Sequence, residues 1–167
     1  AERLATMAFS GVPESQRPYQ TMGDCYINFQ ADDGVIENYT RELDLESATV
    51  TVGFTSNAVR YTRRYFSSAA DQVMAIRITA DKPGAISFTA TLRRTRYLDA
   101  VKASTGNTIT MFAGSGREKG VRFCTMVRAI NEGGRISTIG ESLVVESADA
   151  VTMLLSAATS FYHENYS

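Results

Sequence analysis

From Gln20 onward the chain keeps a period of two: apolar residues recur at alternate positions in short runs, and turn-forming residues separate the runs. Alternate side chains share a face only in an extended strand, so this pattern restricts the chain to sheets with one face turned to a core. Val50, Val52 and Phe54 alternate with Thr49, Thr51 and Thr55, and Ser56, Asn57 and Ala58 then supply a turn. Val59, Tyr61 and Tyr65 follow on one face with Arg60, Thr62 and Arg64 on the other, which predicts an antiparallel hairpin. Met74, Ile76 and Ile78 continue the pattern. Asp81, Lys82, Pro83 and Gly84 form the next turn signal, where Pro fixes φ and Gly frees it. Ile86, Phe88, Ala90 and Leu92 then face one way and Ser87, Thr89 and Thr91 the other.

Further strands are predicted over 108–113, 121–130, 142–146 and 151–157, with Gly133 and Gly134 as a hairpin turn. Before Gln20 the period is 3.6: Leu4, Met7 and Ala8 predict a short N-terminal helix over 2–9, which Gly11 and Pro13 end. The stretch 97–106 reads equally as a loop or as one turn of helix. About ten short strands with almost no helical periodicity predict an all-β fold, a two-sheet antiparallel sandwich, with a closed barrel as the alternative.

A chain of 167 residues forms one domain with a sizeable core. Hydrophobic residues at 44% and charged residues at 21% exclude a disordered chain, and no apolar run approaches the roughly 20 residues that span a bilayer, so no membrane partner is expected. A net charge of -1 gives no general attraction to phosphate backbones. Arg93, Arg94 and Arg96, with Tyr97 and Lys102 nearby, make the one candidate basic patch. A solvated strand end that blunts edge pairing is the simpler reading, and no nucleic-acid partner is expected. Cys25 and Cys124 are too few for a disulfide framework; each sits in an apolar alternation, which favours buried free thiols over a single disulfide and leaves the redox compartment open. The first residues lack a basic leader followed by an apolar core, and the start without Met reads as a domain taken from a larger protein.

Candidate chemistry is sparse. Glu42, Asp44 and Glu46 are spaced by two, and paired carboxylates are what a glycosidase needs, but Leu43 and Leu45 in the opposite phase make the acids the solvent side of a half-buried strand. His163 is the only histidine and lies in the terminal YHENYS; no serine sits in a G-x-S-x-G elbow. Gly114 to Gly120, GSGREKG, has the glycines of a phosphate cradle but not its Lys-Ser or Lys-Thr ending or its following helix, so it reads as a hairpin loop. Asn38-Tyr39-Thr40 and Asn165-Tyr166-Ser167 are glycosylation triplets that decide nothing alone. Tyr61, Tyr65, Tyr97 and Tyr26 are the rings available for stacking on a sugar, with Tyr61 and Tyr65 the foremost pair; filling the sandwich core is the simpler use of them. No cofactor or metal is expected.

Five phrases in combination carry a resemblance. They are Tyr19, Gln20, Gly23 and Asp24 in YQTMGD; Tyr39 to Leu45 in YTRELDL; Tyr61 to Phe66 in YTRRYF; Asp71 to Val73; and Ala157 to Phe161 in AATSF. Together they cover the chain from about Pro18 to Phe161 and resemble the N-terminal β-sandwich of family 95 glycoside hydrolases, the inverting α-L-fucosidases and their relatives. The resemblance implies a sandwich of the supersandwich type, a single domain over 1–167 that is a fragment of a larger multidomain hydrolase. It further implies a non-catalytic accessory role beside an (α/α)6 catalytic barrel in the same parent chain, a fucosylated glycan as the parent's substrate, no cofactor, and a secreted or periplasmic location. Tyr19, Gln20, Gly23 and Asp24 would then serve an interface or pocket rim. The family's domain usually opens with two strand phrases, Asn-Gly-Arg-Leu-Gly-like and Gln-Leu-Asn-Glu-like, upstream of this start, so exposed sheet edges and dimerisation through them are expected. Where the family tends to carry Leu, this chain has Cys25. The readings set beside this one are a free-standing carbohydrate- or protein-binding sandwich and, last, an enzyme complete in itself.

Overall fold

A computed structural model describes residues 2–9, 20–29, 34–116 and 120–161. They form one helix, α1 (Glu2–Phe9), and twelve strands: β1 (Asp24–Phe29), β2 (Glu37–Asp44), β3 (Thr49–Ser56), β4 (Val59–Ser68), β5 (Val73–Ala80), β6 (Ile86–Arg93), β7 (Leu98–Ser104), β8 (Thr108–Gly114), β9 (Arg122–Glu132), β10 (Arg135–Ile139), β11 (Ser142–Ala148) and β12 (Ala150–Thr159). All pairs are antiparallel. Four strands make one sheet in the order β1-β6-β11-β10, and eight make the other in the order β2-β3-β4-β5-β12-β9-β8-β7. The two-sheet sandwich and the short helix agree with the sequence pattern, and neither sheet closes into a barrel.

The β3–β4 hairpin turns at Asn57 and Ala58, both with positive φ (47° and 56°), the backbone of a primed two-residue turn that matches the twist of its strands. Ser56 pairs with Val59 across it. Asp81 to Gly84 turns β5 into β6 and is pinned from outside, for the Gly84 N–H donates to Asp149 Oδ1 at 2.6 Å.

The core lies where the sheets overlap. Ile86, Phe88, Ala90 and Leu92 of β6 and Leu143 and Val145 of β11 face Ile76 and Ile78 of β5, Val151 and Met153 of β12, Val127 and Ala129 of β9, and Ile109 and Met111 of β8. Phe88, at 1% exposure, is the largest fully buried side chain, and its ring packs tilted on Phe29 of β1 with centroids 5.4 Å apart. Burial on this scale is the main favourable term for a domain with no disulfide; both cysteines are free and half-buried.

Three expectations are corrected. The stretch 97–106 contains a strand, β7, which forms an edge of the large sheet and carries a register shift between Leu98 and Ala100; only Val101 is buried, so the period was faint. Glu46 does not share a strand face with Glu42 and Asp44, because β2 ends at Asp44 and Glu46 stands in the β2–β3 turn. Finally, β2 is not half-buried. All eight of its residues are exposed, Leu43 at 58%, because the four-stranded sheet does not extend over it.

Truncating the centre of the core tests this arrangement. Phe88→Ala is expected to cost about 3–5 kcal/mol in urea unfolding, since the cavity forms between two sheets that cannot collapse independently.

Candidate functional site

The YQTMGD phrase enters β1, and the structure places Gln20, Gly23 and Asp24; Tyr19 lies outside the described residues. Gln20 accepts from Arg94 Nη2 through its Oε1 at 2.6 Å and donates through Nε2 to the Ser115 carbonyl at 3.5 Å. Arg94 also donates through Nη1 to the Gly114 carbonyl at 2.8 Å, and its guanidinium lies over the Phe123 ring at 4.5 Å from the centroid. Two residues 74 apart in sequence thus tie the entry of β1, the exit of β6 and the β8–β9 loop into one knot. Gly23 sits at φ 135°, and a Cβ there would stand 2.5 Å from Met111 Cε and 2.8 Å from the Arg93 carbonyl oxygen, so this position needs glycine. Asp24 is exposed and pairs in register with Arg93.

Arg94 is therefore an internal tie, and Arg93, Arg94 and Arg96 do not form a free basic patch. The glycine-bearing loop from Gly114 is a hairpin between β8 and β9, with its residues 117–119 outside the described residues. Ser115 Oγ is buried there without a hydrogen-bond partner among the described residues, and the Tyr97 ring occupies the space beside Gly116. His163 and the triplet at Asn165 lie outside the described residues.

The acidic residues stand apart. Asp44 accepts from the Ser47 hydroxyl at 2.7 Å and the Glu46 N–H at 3.0 Å, hydrogen bonds that hold its carboxyl below the usual range and close the β2–β3 turn. The Arg77 guanidinium 2.6 Å from Glu132 lowers that carboxyl likewise. Burial alone pushes the Cys25 thiol up. Among the described residues no cluster of three His, Cys, Asp or Glu is placed to hold a metal ion.

Two grooves bear on chemistry. One of about 230 Å³ at the β8–β9–β12 end includes Phe112, Phe123, Arg122 and a single carboxylate, Asp99. The other, about 500 Å³, lies on β2–β4 between Tyr39, Arg41, Val52, Phe54, Arg63 and Tyr65, with no carboxylate among the described residues that line it. Neither brings together the two carboxyl groups that glycoside hydrolysis requires. Of the tyrosines, Tyr61 stacks on Phe54 at 5.2 Å and 20° and donates to the Ala85 carbonyl at 3.4 Å, Tyr65 packs against the core, and Tyr26 and Tyr97 lie elsewhere, about half exposed.

Sequence reasoning missed two features. Arg63, in phase with Tyr61 and Tyr65, points to the core side, with its guanidinium 3.8 Å from the Phe29 ring centroid and 5.0 Å from that of Phe54. The large sheet's outer face carries apolar side chains about its middle: Phe66 (47% exposed), buried Ala75 and half-buried Leu154 share one row, and Met126 (43%) and Ile130 (48%) flank the exposed Arg128 that stands opposite Leu154. The alternation in β9, where Met126 and Ile130 oppose Val127 and Ala129, was the available signal.

A family model described as the glycosyl hydrolase family 65, N-terminal domain, matches residues 1–164. Alpha-L-fucosidase 2 of Arabidopsis thaliana is 30% identical over 168 residues, covering 86% of this chain and 20% of that protein. A solved structure titled "Putative kojibiose phosphorylase from human microbiome" matches in fold with a TM-score of 0.55 at 13% identity, over 81% of this chain and 22% of that one. This chain therefore spans about a fifth of the length of the curated relative.

The knot makes a direct prediction. Arg94→Met, which removes both donors while keeping bulk over Phe123, is expected to cost about 1–3 kcal/mol in chemical denaturation. Glu42→Gln, on the exposed strand, should stay within roughly 0.5 kcal/mol of the unaltered chain.

Proposed function

This chain belongs to the glycosyl hydrolase family 65 N-terminal domain family, and from that premise we propose that it is the non-catalytic N-terminal β-sandwich of an inverting α-L-fucosidase-like hydrolase of the family 95 kind. The observation that carries the non-catalytic part is the dispersal of the carboxylates: Glu42, Asp44 and Glu46 lie on an exposed strand and its turn, and neither groove holds a pair. The fucosidase assignment rests on the 30% identity to alpha-L-fucosidase 2, against 13% to the phosphorylase, whose likeness is one of fold.

In this reading the chemistry belongs to an (α/α)6 barrel in the same parent polypeptide, which takes a fucosylated glycan. The sandwich docks on the barrel through the apolar middle of its large sheet, Phe66, Met126, Ile130 and Leu154. These side chains stand on β4, β12 and β9 of one face, with Ala75 of β5 between Phe66 and Leu154 and Arg128 between Met126 and Ile130, and covering such a patch is what a domain partner does. The Gln20–Arg94 knot holds the β8–β9 loop in place at one end of that sheet, which is how the YQTMGD phrase serves a rim without touching substrate.

Sugar release from a fucosylated oligosaccharide tests the assignment. The chain alone is expected to release none, and the full reading frame to release fucose without added phosphate. Fucose release by the chain alone would overturn the accessory role, and phosphate-dependent formation of a sugar phosphate by the longer protein would place the parent with the phosphorylases.

A further inference from the structure

A domain that covers the outer face of the large sheet covers its charges along with its apolar side chains. Arg128 of β9 stands between Met126 and Ile130 and opposite Leu154 of β12, so a surface that meets those three side chains together also meets its guanidinium. Arg64 of β4 shares the outer face with Phe66 and pairs in register with Arg77 of β5, like charge against like. The four strands β4, β5, β12 and β9 contain a single carboxylate, Glu132. It is already engaged: Arg77 Nη1 lies 2.6 Å from Glu132 Oε1 and also donates to Thr152 Oγ1 at 2.9 Å. Arg64 and Arg128 are exposed and make no ion pair among the described residues.

The middle of this face is thus cationic in a chain whose net charge is -1. Its acids stand elsewhere: Asp71, Asp81 and Asp149 in turns, Glu42 and Asp44 on the edge strand β2. In water an exposed guanidinium is well solvated. Under a partner it loses that water, and covering it without an anion is strongly unfavourable. A carboxylate restores the loss best, because its two oxygens accept two parallel N–H bonds from the guanidinium fork.

On the docking reading above, from which this follows, we propose that the barrel domain of the parent chain meets this face with an apolar surface bearing a carboxylate that forks onto Arg128, and with a second acidic group facing Arg64. The apolar contact supplies the area and the charges set the register, since a shift by one strand would place the acid on Leu154 and leave Arg128 covered and unpaired. A second copy of this chain does not fit, because it would bring the same arginines together. A hydrated polyanion would satisfy the arginines and leave Phe66, Met126 and Ile130 in water.

The test compares the full reading frame with its Arg128→Met, Arg128→Glu and Arg64→Glu variants, reading hydroxyl-radical oxidation of Phe66 and Met126 by mass spectrometry. In the chain alone these substitutions are expected to leave the urea midpoint unchanged, because both arginines are exposed there. In the full reading frame Arg128→Glu is expected to raise oxidation at least about threefold, toward the level of the chain alone. Arg128→Met should raise it too, by less, since it leaves the partner's carboxylate covered and unpaired; Arg64→Glu should act in the same direction and serves if Arg128→Glu disturbs the chain alone. Arg128→Met decides the matter, for under a plain apolar partner the loss of a guanidinium improves the cover. Unchanged or lower oxidation in Arg128→Met would overturn the carboxylate while leaving the docking itself intact. Equal oxidation of the unaltered chain and the unaltered full reading frame would instead remove the docking, and the carboxylate with it. Protection of Met126 in the chain alone, by self-association or by vesicles of an anionic phospholipid, would give the face another occupant and overturn the proposal.

Discussion

A sheet of eight strands cannot be kept dry by a sheet of four. Every buried apolar side chain in this domain needs a neighbour on the facing layer, and the facing layer ends at β1. Phe88, Leu143 and Val145 have their partners on β5, β12, β9 and β8, so the centre packs to full burial. The same inward phase continues across β4, β3 and β2 with no described strand above it, and exposure rises to 58% at Leu43. The outer face of the large sheet repeats the situation, since Phe66, Met126 and Ile130 stand uncovered about the middle of the sheet. The domain is thus self-sufficient at its centre and unfinished on two surfaces.

The side chains that do make specific polar contacts serve the fold. Gln20 and Arg94 draw three separate elements together, and Gly23 is required by the closeness of Met111 and the Arg93 carbonyl. Asp44 closes a turn and Asp149 pins another. Residues committed in this way are poorly suited to proton transfer, and none shares a groove with a second carboxylate. Among the described residues the dispersed carboxylates and the uncovered apolar side chains both support the proposed role of a sandwich packed against a partner domain.

The sequence made some of this legible and hid the rest for definite reasons. The β3–β4 hairpin and the β6 face could be read because Val50, Val52, Phe54 and Ile86, Phe88, Ala90, Leu92 alternate without interruption, and a period of two has one structural meaning. The strand β7 was obscure because an edge strand buries one residue, Val101, and leaves Asp99 and Lys102 to break the pattern. Leu43 read as buried because alternation reports which face a residue shares and not whether another layer covers that face. Arg63 was invisible because a charged residue in a core phase looks like an interruption until Phe29 and Phe54 are seen beneath its guanidinium. The motif residues Gln20 and Gly23 were identifiable as special, but the partner of Gln20 lies 74 residues away and only the folded chain brings it near.

Hydroxyl-radical footprinting, carried out on this chain and on the full reading frame it belongs to, tests most directly whether the surfaces left open here are those the parent covers. The account predicts that Phe66 and Met126 oxidise readily in the chain alone and are protected in the longer protein, while Tyr26, on the outer face of the small sheet, reacts alike in both. Equal oxidation of Phe66 and Met126 in the two proteins would contradict it.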